Sequence, residues 1–273
     1  MRMMSDTWRY IEDGLGEGHW NMAVDQALLR SCARGFTPPT LRLYGWKSPV
    51  LTVGYAQNLE RTVDLEQCRG IPCVRRPTGG RALLHHRELT YCLVAPVDHP
   101  RFSGGLKQTF AAVSQALLLG LRELGIDQAR INGQKKIQLA GQRSPACFSS
   151  LHHCEITFHE RKLIGSAQRR TQGAFLQHGS IPIAASAGDI HSILRYDSPA
   201  DRAADIEKMK MFTTTLNAVC GQPISFERAR SALRAGFEKC FAGNWIAEGL
   251  TRAEKNHRDS LLESAVSASP AIF

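Results

Sequence analysis

Cys147 stands in the segment Ser144-Pro145-Ala146-Cys147-Phe148, a proline-containing loop outside any periodic element. A thiol placed there can be reached by substrate. As a thiolate it could attack a thioester carbonyl and store an acyl group as a new thioester of similar energy. A loop cysteine without a role is the plainer alternative, and the segment alone favours it. Fifteen residues on, Lys162 leads the run Arg161-Lys162-Leu163-Ile164-Gly165-Ser166-Ala167-Gln168. A lysine at the head of a strand is usually solvated. One that faced Cys147 would stabilise the thiolate, and its ammonium could hold a substrate carbonyl.

Two glycine-bearing segments could form a binding site around such a pair. Arg75-Arg76-Pro77-Thr78-Gly79-Gly80-Arg81 follows a short strand-like run, and its paired glycines permit backbone conformations and close ligand approach that a side chain would block. A binding loop and an ordinary turn with solvated arginines both fit; a Walker loop does not, since the spacing and the Lys-Ser/Thr ending are missing. Leu176-Gln177-His178-Gly179-Ser180-Ile181 sets a histidine beside backbone donors, either along an acyl path or as a core histidine bonded to a carbonyl. Cys147, His152, His153 and Cys154 cluster within eight residues, with His85 and His86 elsewhere in the chain. Without a C-x-x-C or H-E-x-x-H pairing, and with adjacent histidines pointing opposite ways on an extended chain, no metal is expected.

The elements that must position these groups follow from periodicity. A strand is expected at Trp8 to Ile11. A helix follows from Trp20 to Ala33, with Trp20, Val24, Ala27, Leu28 and Ser31 on one face. Strands are expected at 40–44, at 50–55, in a short run ending at Arg75, and at 89–95. Leu106, Phe110, Val113, Leu117, Leu121 and Leu124 recur at helical spacing over 103–124, and Gly125 ends that helix. Strands follow at 155–158, 162–167 and 175–183. Beyond Pro199 the pattern is helical, with Ser225 opening one helix and a capping box from Thr251 to Glu254 another. With no internal repeat or linker, the fold class is α+β, a mixed sheet with flanking helices. One catalytic domain is expected over 1–245, followed by a C-terminal helix over 246–273 that ends in a loose tail from Ala265.

Composition narrows the partners. The chain has 273 residues, 43% of them hydrophobic, which is ample for a buried core. No run approaches the roughly 20 apolar residues that span a bilayer, and the first residues lack the order of a secretory signal, so no membrane association is expected and the protein reads as soluble and cytoplasmic. The eight cysteines are accordingly read as thiols, and those in strand-like or helical runs, Cys32, Cys73, Cys92, Cys220 and Cys240, as small buried hydrophobes. The net charge of +9 favours acidic partners. Nucleic acid is not expected, since the basic residues are dispersed, no recognition signature is present, and aromatics are only 7%.

Taken in order, these segments resemble the lipoate and biotin protein ligase superfamily, and within it the cysteine-dependent octanoyltransferases first recognised in Gram-positive bacteria. The resemblance runs over 18–245. It rests on Asn21-Met22-Ala23-Val24-Asp25, Leu41-Arg42-Leu43-Tyr44-Gly45-Trp46, Arg75 to Arg81 with His85 and Glu88-Leu89-Thr90-Tyr91, Pro145-Ala146-Cys147-Phe148, Lys162 to Gln168, and Leu176 to Ile181. It implies a central mixed sheet and a tunnel for the acyl chain. Cys147 would carry an acyl thioester, and Lys162 would lower its pKa and help place the carbonyl. Arg76, Thr78, Gly79, Gly80, Arg81 and His85, with Gly165, Ser166, Ala167, His178 and Gly179, would line the acyl and phosphopantetheine site. Octanoyl would arrive on acyl carrier protein, with no other cofactor, and pass to the lysine of a lipoyl domain such as glycine cleavage H protein.

Two features set the chain apart from ATP-using lipoate ligases. Those resemble Gly-Gly-Gly-Ala-Val-Tyr-His where this chain has Gly79-Gly80-Arg81-Ala82-Leu83-Leu84-His85, and they carry an Arg-Asn-Asp stretch where this chain has Asn132-Gly133-Gln134-Lys135-Lys136. It departs from the transferases at Leu151-His152-His153-Cys154-Glu155, where relatives tend to Pro-Ser-x-Tyr-Glu, so Cys154 is the rival thiol. An amidotransferase between lipoyl domains would use the same cysteine and lysine. An ATP-dependent ligase and a non-catalytic acyl-carrier binding module are the remaining alternatives.

Overall fold

Residues 7–132, 155–186 and 188–268 are described by a computed structural model of the chain. Thr7–Gly16 (β1) and Thr40–Trp46 (β2) run parallel, and Gly18–Ala33 (α1) makes the crossover that a parallel pair requires. Three short strands follow, Val50–Val53 (β3), Cys73–Arg75 (β4) and Leu83–His85 (β5), with the one-turn helix Leu59–Thr62 (α2) between the first two. They form a small sheet in the order β4-β3-β5. Glu88–Pro96 (β6) returns to the main sheet, and Leu106–Glu123 (α3) covers one of its faces.

Arg130–Ile131 (β7), Ile156–Phe158 (β8), Arg161–Arg170 (β9) and Ala174–Pro182 (β10) complete most of the large sheet. Ile190–Ile193 (α4), Pro199–Phe212 (α5), Leu216–Cys220 (α6) and Phe226–Cys240 (α7) then lead to Asn244–Ala247 (β11) and Arg252–Ala268 (α8). The eight-stranded sheet has the order β11-β1-β2-β6-β10-β9-β8-β7, parallel among its first three strands and antiparallel beyond. This is the mixed, helix-flanked architecture expected.

Both faces of the sheet are covered, so its central strands are buried along almost their whole length, polar residues such as Arg42, Glu88 and Gln177 included. Along β6, Leu89, Tyr91, Leu93 and Ala95 join the α3 and α7 core, whereas Cys92 and Val94 join the α1 core. Helices α3 and α7 meet through Gly120 and Gly236, and a Cβ on Gly236 would strike the backbone nitrogen of Gly120. A third cluster, with Leu51, Val53, Leu84 and Ile190, fills the space beneath the small sheet.

Several elements differ from the periodic reading. Trp20 is 38% exposed rather than core, because it lies at the start of α1, where the guanidinium of Arg258 covers its ring at 4.0 Å. Helix α3 begins at Leu106 after Gly104 and Gly105, both at positive φ, and Leu106 projects beyond the core at 51% exposure. The stretch expected to be helical throughout contains β11, which pairs in parallel with β1. Helix α8 continues to Ala268, where a loose tail was expected from Ala265.

The capping box is present as read: Thr251 N–H donates to Glu254 Oε2 at 2.7 Å and Glu254 N–H to Thr251 Oγ1 at 3.2 Å. The same carboxylate takes two hydrogen bonds from buried Arg9, at 2.9 and 2.6 Å. Among the described residues no helix is long and apolar enough to cross a membrane.

Candidate active site

The Arg75–Arg81 loop leaves β4 and is tied down from within. Arg76 is buried and donates to the carbonyls of Thr52, Gly79 and Arg81 at 3.3, 2.9 and 2.7 Å. Arg75 spends its guanidinium on the carbonyls of Gly54, Tyr55 and Gln57. Arg76 is thus not the solvated charge of an ordinary turn, whereas Arg75 is exposed but held by these carbonyls. Gly80 adopts φ +95°, and a Cβ there would meet the Arg76 guanidinium at 2.7 Å, so glycine is required. Gly79 has neither constraint and opens onto free space.

This loop and β5 face β6, β10 and β9 of the large sheet across a cavity of about 640 Å³, measured to its open mouth. Arg76, Gly80, Arg81 and His85 line one side, and Gly165, Ser166, Ala167, His178 and Gly179 the other. Thr78 stands behind His178, and Gly79 lies just outside the wall. Met22, Tyr44, Trp46, Leu83 and Thr90 supply much of the remaining lining.

Lys162, at the head of β9, is fully buried, and its Nζ lies 2.6 Å from Oε1 of Glu155. Glu155 in turn lines the cavity. The hairpin explains the meeting: His159 and Glu160 both take positive φ in the tight turn between β8 and β9, which folds residue 155 back beside residue 162. The segment that holds Cys147, Cys154, His152 and His153 lies outside the described residues. The other six cysteines are described, and burial pushes every one of their thiols up, Cys32 and Cys73 to about 12. At neutral pH they stay protonated and unreactive.

Two buried networks brace the walls. His178 Nδ1 lies 3.0 Å from Oδ2 of Asp25, and its Nε2 2.7 Å from Thr78 Oγ1. Burial would raise the carboxyl of Asp25, but the His178 hydrogen bond and the Arg42 guanidinium, 2.8 Å away, outweigh it and keep the group ionised. Burial in turn lowers the imidazole below its ordinary value, against the upward pull of Asp25. A neutral His178 therefore donates from Nδ1 and accepts the Thr78 hydroxyl at Nε2.

In the second network Glu88 accepts from His85 Nδ1 at 2.8 Å, Thr90 Oγ1 at 2.8 Å and Ser180 Oγ at 2.7 Å. The His85 ring stacks on Trp46 with centroids 4.1 Å apart. Sequence reasoning passed over Glu155, Asp25 and Glu88 as site residues. Glu155 could have been found from a two-residue turn that places Thr157 opposite Lys162 and the acid two residues before Thr157, within diagonal reach. For Asp25 and Glu88 the signal is a carboxylate within an otherwise apolar helix face or strand.

Residues 17–238 match the family model described as the lipoyl protein ligase A/B catalytic domain. The octanoyltransferase LipM of Kyrpidia tusciae is 39% identical over 262 residues, covering 94% of this chain and 95% of that one. That of Moorella thermoacetica is 38% identical, with 95% of each covered. The counterpart in Bacillus subtilis is 34% identical, over 86% and 87%. Among solved structures, the bi-partite lipoate protein ligase of Thermoplasma acidophilum superposes with a TM-score of 0.78 at 20% identity, over 98% of both chains. A lipoate-protein ligase A bound with ATP gives 0.75 at 23%, over 99% and 100%. At those identities the structural likeness is one of fold.

Proposed function

The chain belongs to the lipoyl protein ligase A/B catalytic-domain family and is an octanoyltransferase of protein lipoylation, and from that premise we propose a two-step route through Cys147. The Cys147 thiolate attacks the thioester carbonyl of octanoyl acyl carrier protein. A carbon–sulfur bond forms to the enzyme as the one to the carrier breaks, and the carrier leaves as a thiolate that takes up a proton. The lysine amine of a lipoyl domain, such as that of glycine cleavage H protein, then attacks the enzyme thioester. Its nitrogen bonds the carbonyl carbon, Cys147 departs, and the proton lost by the amine restores the thiol. An amide replaces a thioester, so this step is downhill and the cycle runs without ATP.

The buried Lys162–Glu155 pair supports this reading most. It holds an ammonium beside the wall of the cavity, eight residues in sequence from Cys147 at its Glu155 end. A cation near the thiol and the developing oxyanion would favour thioester attack. The silenced thiols elsewhere leave Cys147 and Cys154 as the candidates, and Cys147 belongs to the Pro145-Ala146-Cys147-Phe148 segment whose sequence resembles the transferases.

The test is intact mass after mixing the protein with octanoyl acyl carrier protein in the absence of ATP, followed by peptide mapping. A hydroxylamine-labile gain of one octanoyl group on Cys147 is expected. A gain on Cys154 reassigns the nucleophile. No gain from this donor, but one from an octanoylated lipoyl domain, makes the enzyme an amidotransferase.

A further inference from the structure

A second cavity, about 840 Å³ to its open mouth, abuts the first, and Leu83 and Ser180 line both. The two residues therefore form the partition between them. Lys162 touches both sides: its ammonium bonds Glu155 on the wall of the first, and its carbonyl accepts the backbone N–H of Thr214, on the wall of the second, at 3.0 Å. The second cavity thus adjoins Lys162 through its backbone, and the first through its ammonium.

Its walls mix aliphatic and hydroxyl groups, with Leu84, Pro182 and Met209 against Ser186, Thr213 and Thr214. At its rim Arg87 is exposed, and among the described residues its guanidinium has no hydrogen-bond or ion-pair partner. An occupant matched to this wall is a slender chain carrying methyl groups and amides, with a phosphate at its solvent end. Phosphopantetheine has that make-up.

We propose that the second cavity holds the phosphopantetheine arm of the acyl donor, its thioester end at the Leu83–Ser180 partition and its phosphate on Arg87. This rests on the transfer reaction proposed above. It also gives that reaction a direction: acyl chain on one side of the partition, departing arm on the other. An octanoyl-lysine donor has no phosphate and would leave Arg87 without a ligand.

The test follows loading of the full-length enzyme by intact mass with three octanoyl thioesters: of phosphopantetheine, of pantetheine, and of N-acetylcysteamine. Arg87→Gln is expected to reduce the preference for the phosphorylated over the unphosphorylated arm by about tenfold, the worth of one charge-assisted contact. Ala185→Trp, which narrows the second cavity, is expected to slow both pantetheine donors at least about tenfold more than the short N-acetylcysteamine thioester. Thermal unfolding confirms that both variants are folded. Equal losses with all three donors, or a preference untouched by Arg87→Gln, would overturn the assignment. So would a defect of Ala185→Trp confined to delivery from preloaded enzyme, which would give the cavity to the acceptor. Wild-type enzyme that loads from none of the three would instead sink the cysteine route itself.

Discussion

Lys162 Nζ lies 2.6 Å from Glu155 Oε1, with the lysine side chain wholly sealed from solvent and the carboxylate nearly so. A buried pair of this kind is costly to break, because the survivor keeps its charge without compensation. Glu155→Ala is therefore expected to lower stability by about 3–5 kcal/mol. The double substitution Lys162→Met with Glu155→Leu should recover most of that loss and still fail to form an octanoyl adduct. Urea unfolding and intact mass, read side by side, separate the two effects; a double variant that loads octanoyl normally removes Lys162 from the mechanism.

His178 is expected to be neutral at pH 7, with its proton on Nδ1, because burial lowers its pKa and ionised Asp25 claims that nitrogen. Nitrogen NMR of imidazole-labelled protein reads the tautomer directly. The sign of the stability effect follows: below about pH 6.5 the unfolded chain binds this proton first, so the group's contribution declines as pH falls through that range. A protonated His178 at pH 7, or an Nε2–H tautomer, contradicts the network.

Brief alkylation of the native protein at pH 7.5 should leave Cys32, Cys68, Cys73, Cys92, Cys220 and Cys240 unmodified, since burial raises each of those thiols. Cys147 should react first. Lys162→Ala should then move the pH profile of its alkylation upward, and an unmoved profile counts against the lysine's electrostatic role.

Glu254 is held below the ordinary carboxyl range: burial opposes ionisation, but the Arg9 contacts and the Thr251 bonds prevail. A group depressed in the folded state adds stability above its unfolded pKa and loses it as pH falls through its folded value. Acid below about pH 4.3 should therefore loosen α8 on β1. Glu254→Gln should reproduce the loosening at pH 7, costing about 3 kcal/mol. Hydrogen exchange at the amides of residues 244–268 reports it; unaltered protection there would refute the coupling.

Gly179→Ala tests the packing of the cavity wall. A Cβ there would meet Gly165 O at 2.5 Å, Tyr91 Cε1 at 2.6 Å and Ser166 Oγ at 2.8 Å, two of them across the β9–β10 ladder. The expected cost is about 1–3 kcal/mol together with weakened acyl loading. A variant with native melting temperature and native loading would mean that the wall is softer than it looks.

What could be read from the sequence depended on length. Leu117, Leu121 and the rest of the long α3 repeat announced a helix, and Leu89 to Ala95 a strand, because each pattern runs for many residues over a buried face. Trp20 and Leu106 misled because periodicity places a residue on a face but does not say where the neighbouring layer ends. Strand β11 has four residues and only Trp245 and Ile246 to mark it, too few against the helical pattern on either side. At the site, the glycine loop and the Lys162 run could be read as motifs. The ion pairs that position them join residues as far apart as Asp25 and His178, and no local pattern encodes such a pairing.

Arg9 is laid down early and Glu254 late, and 245 residues separate them. On the ribosome, the guanidinium on β1 has no carboxylate to receive it until nearly all the described chain has emerged, and β1 lacks its outer neighbour β11 until then. A nascent chain halted before β11 would carry a cation that it cannot bury and a sheet edge that it cannot close. Burial of Arg9 is thus deferred until α8 has been made.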